Sequence, residues 1–151
     1  MLLHGSACAW DATGLPAAGV LLLGPPGCGK SDFSLRLLAL GFTLVADDQV
    51  DLSEEDGQMR APSTLAGMIE VRGLGIVSGL PHRPAPLVLV VDCLSREAVP
   101  RLPAPAFWRA GALAVPRMGL HATDASAPAK LMMALDVLAG RRGLVAGAFA
   151  A

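Results

Sequence analysis

The residues most able to do chemistry form one uninterrupted string, Gly24-Pro25-Pro26-Gly27-Cys28-Gly29-Lys30-Ser31, which has the spacing GxxxxGK[ST]. Glycines in such a loop let the backbone curl until successive N–H groups converge on phosphate oxygens, and a helix opening behind it adds its positive end. The lysine then reaches the terminal phosphates, and the serine hydroxyl reaches a magnesium ion. That chemistry needs a strand before the loop and a helix after it. Residues 19–23 read as the strand and residues 31–40 as the helix. Lys30 is one of only two lysines, Lys130 being the other. The eight residues are thus a candidate nucleotide-phosphate site, with a structural Gly/Pro turn as the bland alternative.

A strand-like run, Leu44-Val45-Ala46, ends in two adjacent carboxylates, Asp47 and Asp48. The interval from Lys30 suffices for a helix, a turn at Gly41 and a returning strand. The acids would then reach the end of the sheet where ligands collect in open α/β folds. One carboxylate there can bind magnesium and another can take a proton from an attacking hydroxyl. Asp92, closing Leu87-Val88-Leu89-Val90-Val91, is a rival metal carboxylate; a strand-end turn or cap is its simpler reading. In Ile69-Glu70-Val71-Arg72, alternation along a strand puts Glu70 and Arg72 on one face, as part of a polar site or as a surface ion pair. His4 and Arg101 carry no signal from spacing alone, and Met132 and Met133 read as core or interface.

The elements that must position these groups are short. Strands are expected at 19–23, 42–46, 69–71, 87–91 and 113–115, and helices at 31–40 and 127–138. The prolines of 100–109 suggest an irregular loop there. Short apolar strands alternating with helix signals indicate an α/β architecture around a parallel or mixed buried sheet. The 151 residues suit one domain, 1–151, and 53% of them are hydrophobic while 17% are charged. That composition is unlike a disordered chain. A net charge of −1 without a basic stripe argues against general nucleic-acid or anionic-membrane binding. No run reaches the ~18 apolar residues of a membrane helix, and the start lacks a positive leader. Three cysteines without a metal-ligand pattern suggest free thiols in a reducing cytoplasm. A mean hydropathy of +0.53 suggests apolar surface hidden by self-association.

In combination, His4-Gly5, the loop 24–31, "LVADD" at 44–48 and "EVRGLGI" at 70–76 resemble HPr kinase/phosphorylase, in the family's own order. The resemblance implies a catalytic domain with a central mixed sheet and flanking helices, related in fold to phosphoenolpyruvate carboxykinase. It covers residues 2–77 closely and 78–139 loosely, as in a short form that holds only the C-terminal catalytic domain. It implies phosphorylation of a serine on HPr, a phosphocarrier of the sugar phosphotransferase system, with ATP as donor and Mg²⁺ as cofactor, and removal of that phosphate by phosphorolysis, which uses inorganic phosphate and releases pyrophosphate. It further implies a cytoplasmic protein assembled as an oligomer such as a hexamer.

By that resemblance Lys30 binds phosphate, Asp47 is the base, and Ser31, Asp48 and Glu70 face the metal. His4 would sit near the transferred phosphate, and Arg101 would match a family arginine. Two departures stand out. Asp32 replaces the usual glutamate after the loop. Val115-Pro116-Arg117-Met118-Gly119-Leu120 also lacks the second arginine and the asparagine of a segment tied to dephosphorylation, so kinase activity is the firmer expectation. The alternatives are a small-molecule kinase with the same loop and a nucleotide-responsive regulator without turnover.

Overall fold

The computed structural model describes residues 1–12 and 15–150. Its elements run β1 (Leu2–His4), β2 (Ser6–Trp10), β3 (Ala18–Leu23), α1 (Lys30–Ala39), β4 (Thr43–Ala46), β5 (Gln49–Leu52) and β6 (Gln58–Arg60). There follow β7 (Ile69–Val71), β8 (Gly75–Val77), β9 (Ala85–Cys93), β10 (Ala106–Ala110), β11 (Leu113–Leu120) and α2 (Ala127–Leu138). The expected α/β class holds, with a mixed central sheet and two helices.

The sheet order is β1-β5-β6-β9-β3-β2-β4, with β11 also on β9 and β10 on β11; β7 and β8 form a separate hairpin. β3, β9 and β11 are mutually parallel neighbours, whereas β2 lies antiparallel between β3 and β4. Alternation explains both faces. Val20, Leu22, Leu89 and Val91 meet Phe33 and Leu37 of α1 and Leu131 and Leu135 of α2. Leu21 and Val90 point the other way, onto Val50, Leu52, Met59 and Val115. Each such side chain contributes about 1.5–3 kcal/mol on burial. The helix α1 closes in a turn at Gly41 (φ 103), a conformation that glycine adopts without a steric penalty.

One expectation is corrected. The stretch 100–109 is not all loop: β10 starts at Ala106, just after Pro105, and pairs antiparallel with β11 from Ala106↔Arg117 to Ala110↔Leu113. The three prolines before it cannot donate to a ladder, but Phe107 and Trp108 can. The expected strands at 87–91 and 113–115 extend to Ala85–Cys93 and Leu113–Leu120. β1, β2, β5, β6 and β8 were not foreseen.

Candidate active site

The loop after β3 bends as its glycines require. Gly24, Gly27 and Gly29 have φ of 155, 82 and 97, and Gly29 caps α1, which opens at Lys30. Lys30 is 8% exposed and lies back over the loop, its Nζ donating to the Gly24 carbonyl at 2.7 Å and the Pro25 carbonyl at 3.1 Å. The residue that follows points elsewhere. Ser31 Oγ donates to Asp47 Oδ1 at 2.9 Å.

Asp47 is 5% exposed and fully engaged. Besides Ser31, Ser6 Oγ donates to its Oδ1 at 2.7 Å and the Glu70 backbone N–H to its Oδ2 at 3.0 Å. The register Ala7↔Ala46 between β2 and β4 brings Ser6 beside it. Asp48 turns away because it takes φ 70, the one positive φ outside glycine among the described residues. Aspartate tolerates that conformation better than most side chains. The pair therefore splits, one carboxylate facing the loop and the other facing out. His4, which β1–β5 pairing sets opposite Gln49, holds its Nδ1 3.6 Å from Asp48 Oδ1. The Glu70 side chain is exposed, while Ile69 is buried. Arg72 lies past the end of β7, in the turn to β8, and does not share a strand face with Glu70.

The structure thus brings His4, Lys30, Ser31, Asp47, Asp48 and Glu70 to one end of the sheet. It does not bring Arg101 among them. That side chain is exposed after a short helical turn, Arg96–Ala98, beside a cavity it lines with Leu102, His121, Lys130 and Met133. Asp92 does lie by the loop, since it pairs in register with Leu23. Both its oxygens are taken by Arg117, at 2.9 Å from Nε and 2.7 Å from Nη2. These hydrogen bonds raise the Arg117 pKa and fix its charge.

Sequence reasoning missed Ser6, whose only signal is a polar residue inside an otherwise apolar run. It also missed the Asp92–Arg117 pair and the segment Ala122–Asp124, whose carbonyls accept from Arg36 of α1.

Among the described residues no three His, Cys, Asp or Glu side chains converge as a ready-made metal cage. Magnesium does not require one, because it keeps waters and takes one or two carboxylates alongside substrate phosphates. A serine hydroxyl tied to a buried carboxylate, which the Glu70 backbone also meets, offers oxygen donors of the kind the ion takes.

Fold and site together describe an α/β domain that joins a phosphate-loop motif to an acid pair. Comparison with known proteins shows what such a domain is similar to. Residues 11–79 match the model of the HPr Serine kinase C-terminal domain. Among curated proteins, the HPr kinase/phosphorylase of Clostridium beijerinckii is 46% identical over 69 residues, covering 44% of this chain and 22% of that protein. The HPr kinase/phosphorylase of Clostridium novyi is 49% identical over 61 residues, covering 39% and 20%. The matched stretch thus spans only about a fifth of these relatives' length. In fold the chain is similar to the Hpr(Ser) kinase/phosphatase from Coxiella burnetii, with a TM-score of 0.73 and 26% identity over 93% of this chain and 90% of that one. The chain resembles the C-terminal domain of HPr kinase/phosphorylase, in sequence over the loop and acid pair and in fold over nearly its whole length.

Proposed function

We propose that this chain is an ATP-dependent protein-serine kinase acting on HPr or a related phosphocarrier. The observation that carries this reading is the 2.9 Å bond from Ser31 to Asp47, which joins the phosphate loop to an acid pair. The resemblance to HPr kinases supplies the substrate. Phosphoryl transfer asks a protein chiefly for positioning and charge neutralisation. The loop N–H groups and Lys30 hold the donor phosphates once Lys30 leaves the carbonyls of Gly24 and Pro25. Ser31, Asp48 and Glu70 would hold Mg²⁺, which neutralises phosphate charge when bound. Asp47 takes the proton of the incoming serine hydroxyl, and His4 lies beside the transferred group. No observation here draws Arg101 into that constellation.

The same reading carries the finer fold assignment, a P-loop kinase domain of the phosphoenolpyruvate carboxykinase type, together with a cytoplasmic location and self-association. Among the described residues no helix is long and apolar enough to cross a membrane.

A second division of labour has its own support. Asp47 is buried against Ser31, whereas Asp48 is exposed beside His4, so Asp47 could serve the metal and Asp48 the proton. The two are separated by the metal dependence of Asp47→Asn and Asp48→Asn. Loss of a metal-side carboxylate raises the Mg²⁺ concentration needed for turnover, while loss of the base lowers kcat at saturating Mg²⁺.

The function itself is tested by mass spectrometry of an HPr-type carrier incubated with the protein and Mg·ATP, with Lys30→Ala in parallel. A single seryl phosphate, absent with the variant, is the expected result. A carrier left unmodified by a protein that binds ATP would move the reading to the regulator or to another substrate.

A further inference from the structure

Two of the three cysteines meet at the phosphate loop. Cys28 lies within the loop and is partly exposed, while Cys93 ends β9 and is 3% exposed. Strand register brings them together: Leu23 pairs with Asp92, so the loop leaves β3 directly over the next residue, Cys93. The point where a β-carbon on Gly24 would sit is 2.7 Å from Cys28 Sγ, 3.1 Å from the Cys93 carbonyl oxygen and 3.2 Å from Cys93 Cβ. Only a residue without a β-carbon leaves room for this contact. Lys30 Nζ also reaches Cys28 Sγ, at 3.7 Å, so the loop's phosphate-binding cation and its thiol share one space. Burial and the neighbouring Cys28 thiol, to which it is hydrogen-bonded, push the Cys93 thiol up to about 12. Cys8 is remote from this pair in the sheet, facing Val20 and Leu44 in the core.

We propose that Cys28 and Cys93 form a reversible disulfide under hydrogen peroxide, and that this modification closes the phosphate loop to nucleotide. Cys28, the accessible thiol, attacks the peroxide as its thiolate. The O–O bond breaks, Cys28 becomes a sulfenic acid and the other oxygen leaves as water. Cys93 then attacks the Cys28 sulfur, its proton leaves with the displaced hydroxide as a second water, and the S–S bond forms. Two thiols and one peroxide thus give one disulfide and two waters. The high pKa of Cys93 keeps its thiolate scarce, so ring closure speeds up as pH rises. The bond would pin the middle of the loop to the end of β9. Its N–H groups could then no longer converge on a phosphate.

This inference rests on the loop being a nucleotide site, so the test separates the two. Reduced protein is titrated with Mg·ATP by calorimetry. It is then treated with stoichiometric hydrogen peroxide, alkylated, digested without reductant and mapped, and titrated again before and after dithiothreitol. The expected result is a Cys28–Cys93 crosslinked peptide, with ATP binding lost on oxidation and restored on reduction. Cys93→Ala should bind ATP when reduced, and under peroxide should give Cys28 sulfenic or sulfinic acid without a crosslink. A crosslink absent from the native protein, or one that leaves ATP affinity unchanged, overturns the proposal. Reduced protein that binds no ATP would overturn the nucleotide-site reading instead, while the peptide map still decides whether the disulfide forms.

Discussion

Replacing Asp47 separates its chemistry from its place in the fold, because asparagine and alanine should behave differently. All three partners of the carboxylate donate: Ser6 and Ser31 to Oδ1, and the Glu70 N–H to Oδ2. Asparagine offers one oxygen and one NH₂. With the oxygen turned to Glu70, the NH₂ faces two hydroxyls, and a hydroxyl can rotate to accept. Every polar group stays paired, and Asp47→Asn should cost no more than about 1 kcal/mol. Alanine strands the donors. Ser31 can find water at the loop, but the 1% exposed Ser6 hydroxyl and the Glu70 N–H lose their acceptor. At about 1–3 kcal/mol for each of these two stranded groups, Asp47→Ala should lose about 2–6 kcal/mol. For a domain of this size that lowers Tm by roughly 4–24 °C, against less than about 4 °C for the asparagine variant. Both variants should transfer phosphate about 10²–10⁴-fold more slowly if Asp47 is the base. Thermal scans run beside a carrier-phosphorylation assay read both quantities. An Asp47→Asn protein as unstable as Asp47→Ala would refute the hydrogen-bond reasoning, and one transferring at the native rate would remove Asp47 from the chemistry.

Asp92→Asn should break the bidentate pair with Arg117 at a cost of about 1–2 kcal/mol, since both partners are partly exposed. The Mg²⁺ dependence of turnover should not change; a shifted metal requirement would reinstate Asp92 as a ligand. Gly29→Ala must hold alanine at φ 97 with its β-carbon 3.2 Å from Thr123 Cγ2. It should lose about 1–2 kcal/mol from the backbone conformation alone and weaken ATP binding, and native affinity in calorimetry would count against the loop geometry. Arg96 holds the Asp124 carboxyl below its usual 3.8 by hydrogen bond and charge. A depressed carboxyl stabilises the fold above its unfolded pKa, and that contribution fades as pH falls through the folded value. An NMR titration should therefore find the Asp124 midpoint below 3.8 in the native protein and nearer 3.8 in Arg96→Gln, and identical midpoints would dismiss the pair.

What could be read in advance follows from where each residue's partner lies in the chain. The loop and its helix are legible because their signals are local: glycines where φ is positive, and Phe33 and Leu37 one turn apart on a buried face. The helix Ala127–Leu138 is legible for the same reason, with Pro128 in its first turn. Strands of three or four residues, such as Leu2–His4 and Gln49–Leu52, are too short to show a period, so the register that sets His4 beside Asp48 is invisible in sequence. The divergence of Asp47 from Asp48 depends on one backbone angle. Asp92 looks like a free strand-end carboxylate until the neighbouring strand delivers Arg117.

The sheet order also explains why Ser6 matters. With β2 between them, β3 and β4 lie about 9–10 Å apart, too far for a carboxylate at the end of β4 to touch the end of β3. Contact is made through Ser31, which opens α1 over the gap, and through Ser6 on the intervening strand itself. A residue at position 6 must therefore be small enough to leave Asp47 in place and polar enough to hold it. Alanine there would stay small without the hydroxyl, and would leave Asp47 fixed only by Ser31 and the Glu70 N–H.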